Sequence, residues 1–152
     1  MYTKGTAAQT YRAVNQFAAA LRSNLIGRPR TAVAVTVAAL TLAVVSAQQV
    51  AARDAYLWIE HSLPTYAGEV TGVFLLAGAA LVVLAAVATV LGAGLVPAAL
   101  LAGAPAFGWA VTHTGAPITL QYAATYPVEM ALLYGIVFGS VGYVFGNTLR
   151  RT

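Results

Sequence analysis

From Val70 to Leu91 the chain runs 22 residues without a charged side chain. About 20 mainly apolar residues are enough for a helix to cross a hydrocarbon core of roughly 30 Å. In lipid, every backbone polar group must be paired inside the protein, so such a run folds as a helix or joins a closed β-barrel. Barrel strands alternate apolar and polar residues over about 10 positions. Leu75 to Leu91 shows no alternation, and the helix is the expectation.

Three further segments have the same character. Thr31 to about Val50 carries no charge, and about Leu95 to Thr112 carries none but contains Pro97 and Pro105. About Val128 to Leu149 is rich in glycine and aromatics, with Glu129 at its start. Composition agrees: 60% of the chain is hydrophobic and 8% charged, against roughly 25% charged in a soluble domain. So apolar a chain cannot cover itself with polar surface, and disorder is excluded for the same reason. Cysteine is absent, which excludes disulfides, thiolate catalysis and Cys-based metal sites. The expected class is all-α integral membrane. Four transmembrane helices, at about 31–50, 70–91, 95–112 and 128–149, form one bundle over 31–152.

Placement of the few charges sets the expected orientation. Residues 1–30 hold Lys4, Arg12, Arg22, Arg28 and Arg30; the C-terminal tail holds Arg150 and Arg151; the loops hold only Arg53. Short basic flanks stay on the cytoplasmic side. Both ends are therefore expected in the cytoplasm, which needs an even number of spans. Tyr56, Trp58, Tyr66, Trp109, Tyr122 and Tyr126 then gather at the outer interface, with the acids Asp54, Glu60, Glu69 and Glu129. A cleavable signal ending at Val45-Ser46-Ala47 would leave three spans. Its basic region of 30 residues is long for a signal, so the first span is expected to be retained.

Residues 1–30 form the other expected unit, a cytoplasmic one. Ala7, Tyr11, Val14, Ala18, Leu21 and Leu25 recur at intervals of three and four, which is one face of a helix over about 6–26. Gly27 and Pro29 then break it. Arg12, Arg22, Arg28, Arg30, Arg150 and Arg151 are expected against the anionic headgroups of the inner leaflet. Docking to another subunit, or packing under its own bundle, are the alternatives for this helix. Residues 51–55 could prolong the first span, and 118–126 could form a short interfacial helix. Gly92-Ala93-Gly94 is short enough to make spans two and three a tight hairpin.

Within the spans the clearest pattern is Gly135, Gly139, Gly142 and Gly146, at intervals of four, three and four on one face. Glycine lets another helix backbone approach closely, either inside the bundle or on a second subunit. Ala98, Ala102, Ala106 and Ala110 make a similar ladder, read as bundle packing. Glu69 and Glu129 stand near helix starts, where acids meet the macrodipole favourably. The deep positions offer only hydroxyls, such as Thr36, Thr41, Thr89 and Ser140. Ion-coupled transporters usually carry an ionisable group at that depth, so their chemistry is disfavoured.

His61 and His113 are the only histidines. With nearby glutamates they could bind a divalent metal, or as an axial pair a haem. One is expected in a loop and the other at a helix end, without ligand spacing, so ordinary interfacial hydrogen bonds are the expected role. Gly92-Ala93-Gly94 lacks the last glycine of a dinucleotide loop, and Gly139-Ser140 lacks the glycine two residues before the serine of a nucleophile elbow. The net charge of +4 sits on the flanks and does not point to nucleic acid.

The leading functional expectation is a small non-catalytic integral subunit or accessory protein of the cell membrane. Its partners would be anionic lipids and either other membrane subunits or its own copies. A small oligomeric channel or carrier for an uncharged or weakly charged solute is the alternative. A haem or metal protein using His61 and His113 is the third. The excess of alanine and the preference for arginine over lysine suit a GC-rich prokaryotic genome.

Overall fold

The computed structural model describes residues 4–64, 68–113 and 120–152. Among these the chain is all-α, with six helices. They are α1 (Lys4–Leu25), α2 (Pro29–Ala52), α3 (Tyr56–Ser62), α4 (Gly72–Val90), α5 (Leu95–Ala110) and α6 (Leu120–Leu149). Three stretches, α2, α4 and Thr125–Leu149 of α6, are long and apolar enough to cross a membrane; α5 is a shorter apolar helix.

Local chemistry sets most of the boundaries. Pro29 opens α2 at a position where its missing N–H costs no helical bond. α2 is capped by Arg53, and Asp54 turns the chain with φ 49°, a left-handed conformation that aspartate tolerates better than most residues. Thr71 caps α4: its Oγ1 accepts from the Phe74 N–H at 3.2 Å and donates to the Ser62 carbonyl at 2.8 Å. One hydroxyl thus caps α4 and ties it to the end of α3.

The loop after α2 differs from the expectation. α2 stops at Ala52, and Tyr56–Ser62 forms a separate short helix, so His61 lies in a helix rather than a loop. The expected interfacial helix at 118–126 is, from Leu120 onward, the first turns of α6; Ile118 and Thr119 lie outside the described residues. α6 runs unbroken through Pro127, and α5 through Pro105. Each proline removes one ladder bond, which is tolerated where neighbouring helices cover the freed carbonyl.

The helices do not share burial evenly. α5 packs against α2, α4 and α6, whereas α2 packs substantially only on α5. Nine of its 16 residues are buried, among them Ala98, Leu101, Ala102, Gly103, Ala104 and Gly108. Small residues let three neighbours come close to one axis. Large side chains mostly face outward, including Val33, Leu40, Leu76, Leu132 and Ile136. Hydroxyls on the long helices bond their own backbone: Thr36 to the Ala32 carbonyl, Thr41 to Val37 and Thr89 to Ala85. Among the described residues no buried side-chain polar atom lacks a partner.

Chain direction follows from these contacts. Gly27 pairs with Ala93, so α2 and α5 start at the same end. Gly146 lies against Ala86 and Thr89 near the end of α4, so α6 finishes there too. Arg28, Arg30, Arg150 and Arg151 all lie at that end, and all four are exposed.

Candidate functional site

Three places in the bundle concentrate specific geometry. The first is the glycine face of α6. It is packed inside the chain and divides between two neighbours. A Cβ on Gly135 would lie 2.6 Å from the Ala99 carbonyl oxygen, and one on Gly139 would lie 2.6 Å from the Ala99 Cα, both on α5. One on Gly142 would lie 2.5 Å from the Val82 oxygen, and one on Gly146 would lie 2.5 Å from the Ala86 oxygen, both on α4. Gly103 and Gly108 of α5 repeat the device toward Ala131 of α6 and Ala43 of α2. All four glycines singled out in the sequence are therefore filled by this chain's own helices.

The second place is a backbone clasp at the basic end. The Arg28 N–H donates to the Gly92 carbonyl at 2.9 Å, and the Gly94 N–H donates to the Ile26 carbonyl at 3.0 Å. The linker from α1 to α2 thereby pairs antiparallel with the turn from α4 to α5, Gly27 opposite Ala93. Glycine is required on both sides. Gly27 has φ 77° and Gly92 has φ 105°, and the Arg28 side chain lies across Gly92. A Cβ on Gly94 would meet the backbone of Leu25 and Ile26 at 2.5 Å. Composition marks Gly27 as a helix breaker, but no local signal pairs it with a turn more than 60 residues away.

The third place is an aromatic cluster at the opposite end. Tyr56, from α3, stacks on Trp109 of α5 with ring centroids 5.3 Å apart. The Trp109 indole N–H donates to the Tyr56 carbonyl at 3.3 Å. Tyr56 Oη and His113 Nδ1 share a hydrogen bond of 2.5 Å. Tyr126 of α6 lies edge-on to Trp109, and Tyr122 stacks on Tyr126. Side chains from α3, α5 and α6, and His113 three residues beyond α5, thus lock one end of the bundle. Beside them, Val50, Asp54, Tyr56, Thr112 and His113 border an open cavity of about 290 Å³.

The two histidines have separate local roles. His113 engages Tyr56, while His61 Nδ1 lies 2.6 Å from the Leu57 carbonyl of its own helix. Among the described residues no three metal-ligating side chains gather. Arg12 and Arg22 are exposed on α1, and Arg28 and Arg30 flank the clasp. Tyr56 was legible only as an interfacial aromatic. Its bond to His113 joins residues 57 positions apart and needs the fold.

Burial pushes the Tyr56 phenol above its ordinary value of 10.0, and a hydrogen bond to Tyr126 acts in the same direction. The folded state therefore favours the neutral phenol. That contribution is fully present below pH 10 and is lost as pH rises through the raised value. The thermal midpoint in detergent should hold to about pH 10 and then fall, and Tyr56→Phe should flatten part of that fall. At neutral pH the same substitution should cost about 1 kcal/mol for the lost bond to His113. An identical alkaline profile in the variant would remove Tyr56 from this account.

Residues 26–152 match the family model described as a domain of unknown function, DUF8071. No curated protein and no solved structure matches the chain. The matched region starts at Ile26, the first residue of the clasp, and takes in the glycine seam and the aromatic cluster. The chain belongs to the DUF8071 family.

Proposed function

We propose that the protein is a four-span membrane protein with both ends in the cytoplasm, acting without catalysis as a small subunit or accessory protein of a larger membrane assembly. The observation that carries this reading is how each long helix divides its surface. A narrow strip of small residues meets the neighbours, and a broad face of large aliphatics stays uncovered. α2 is the extreme case, with Val33, Val37, Leu40 and Val44 exposed and only α5 packed substantially beside it. Because the glycine face of α6 is occupied internally, the free flank of α2 is the better surface for a partner. α5 makes the fourth crossing under cover of its neighbours. The arginines gathered at one end of the bundle support an inward orientation of that end.

Purification in mild detergent followed by native mass spectrometry tests the assembly. A partner in fixed stoichiometry, or a defined oligomer, supports the reading. A lone monomer overturns it. Solute flux in proteoliposomes would favour a channel, and a Soret band would favour a haem protein. Orientation has its own test. In intact cells Ala52→Cys should react with an impermeant maleimide, and Ser23→Cys should react only after permeabilisation. Labelling of both from one side would break the four-span arrangement.

A further inference from the structure

We infer that α1 lies in the plane of the inner leaflet with its apolar face in the headgroup boundary, held there by anionic phospholipid; this rests on the membrane-spanning reading above. Three observations converge on it. The first is an uncovered face. Tyr11, Val14, Phe17, Ala18, Leu21 and Leu25 fall within an arc of about 120° of the helix. Every one is exposed, Tyr11 by 73% and Phe17 by 67%. α1 meets the bundle only slightly, near the start of α5. An amphipathic helix with no protein under its apolar side belongs at a lipid interface.

The second observation is charge. Residues 1–30 carry five basic residues and no acid, and the first carboxylate in the chain is Asp54. Arg22 borders the apolar arc, where a long side chain lays its stem on apolar surface and sends its charge outward. A purely apolar partner surface would leave these cations unanswered, whereas anionic headgroups answer them.

The third observation is level and continuity. The clasp holds Ile26 and Arg28 against the turn that joins α4 to α5, which is the inner boundary of the spans. From Ile26 the apolar surface continues along Val33 and Val37 of α2, past an apolar groove of about 310 Å³ closed by Val96 and Leu100 of α5. α1 thus leaves the bundle at headgroup depth. Its apolar face is continuous with the uncovered flank of α2.

The chain has no cysteine, so single nitroxide labels test the idea cleanly. Val14→Cys, Phe17→Cys and Gln16→Cys would each be labelled in the full-length protein. Each would be reconstituted in phosphatidylcholine with and without phosphatidylglycerol. With the anionic lipid, positions 14 and 17 should be accessible to oxygen and shielded from a nickel chelate, and position 16 should show the reverse. Without it, or with Arg12→Gln and Arg22→Gln combined, α1 should shift toward the free state, for the double variant by roughly thirtyfold.

Equal nickel access at all three positions with anionic lipid would overturn the inference. So would immersion that ignores both lipid charge and the arginines. Spin–spin broadening between labels would overturn it too, by showing that a second copy covers the face. Val83→Cys on α4, mid-helix and exposed, is the control. If its label is oxygen-rich in both lipids and α1 is not immersed, only this inference fails. If its label is water-exposed, the spanning reading itself fails.

Discussion

Gly139→Leu is expected to leave little folded protein in the membrane. A single Cβ at this position would already lie 2.6 Å from the Ala99 Cα and 3.1 Å from the Ala99 Cβ. The obstruction is backbone, which cannot swing aside as a side-chain tip can. Overpacking costs about 1–3 kcal/mol where side chains can yield, so leucine here should sit at the top of that range or above it. For a chain of this size, a loss of roughly 3 kcal/mol lowers the melting midpoint by about 10 °C. Thermal denaturation in detergent and membrane yield would measure it. Gly72→Ala is the matched control: its added Cβ meets nothing within 4 Å. A variant at Gly139 as stable as that control would show that α6 and α5 are not in contact as described.

Gly27→Ala should open the clasp. Alanine at φ 77° carries the left-handed cost of about 1–2 kcal/mol. Its methyl would also meet the Gly92 oxygen and the Gly94 nitrogen, the groups that close the pairing. The amides of Arg28 and Gly94 would lose their acceptors. Hydrogen exchange reads this directly, because protection of an amide reports the free energy of opening it. Fragments containing these two amides should exchange at least about tenfold faster, and fragments from the middle of α6 should be unchanged. Unaltered exchange at both amides would mean that the clasp does not depend on glycine.

The long apolar runs were legible because length and lack of charge constrain them together. Leu75 to Leu91 admits only a helix, and the helix is there. Boundaries were less legible near proline. The fourth run reads from about Val128, yet α6 passes through Pro127 and gains its first turns from the preceding residues. His61 reads as a loop residue because Pro64 and Gly68 lie just beyond, but Tyr56 to Ser62 winds into a short helix first. The interval of four, three and four placed the α6 glycines on one face, but not which neighbours that face meets. The answer, α5 for Gly135 and Gly139 and α4 for Gly142 and Gly146, depends on tertiary contacts. Hydropathy likewise cannot tell a lipid-facing helix from one enclosed by protein. The central place of α5 was not readable from its sequence.

That central place bears on how the chain enters a bilayer. Sixteen residues of α-helix rise about 24 Å, less than a hydrocarbon core of roughly 30 Å. A helix this short, alone in lipid, would thin the bilayer around it to relieve the mismatch. In the proposed arrangement α5 would be spared this because α2, α4 and α6 wall it in, burying nine of its 16 residues. Those walls are not all present at the same moment during synthesis. α4 and α2 precede α5, while α6 follows it. In that arrangement the short Gly92–Gly94 turn would bring α4 and α5 into the membrane together as a hairpin. α5 would then keep one flank open to lipid until the glycine face of α6 arrives to close it.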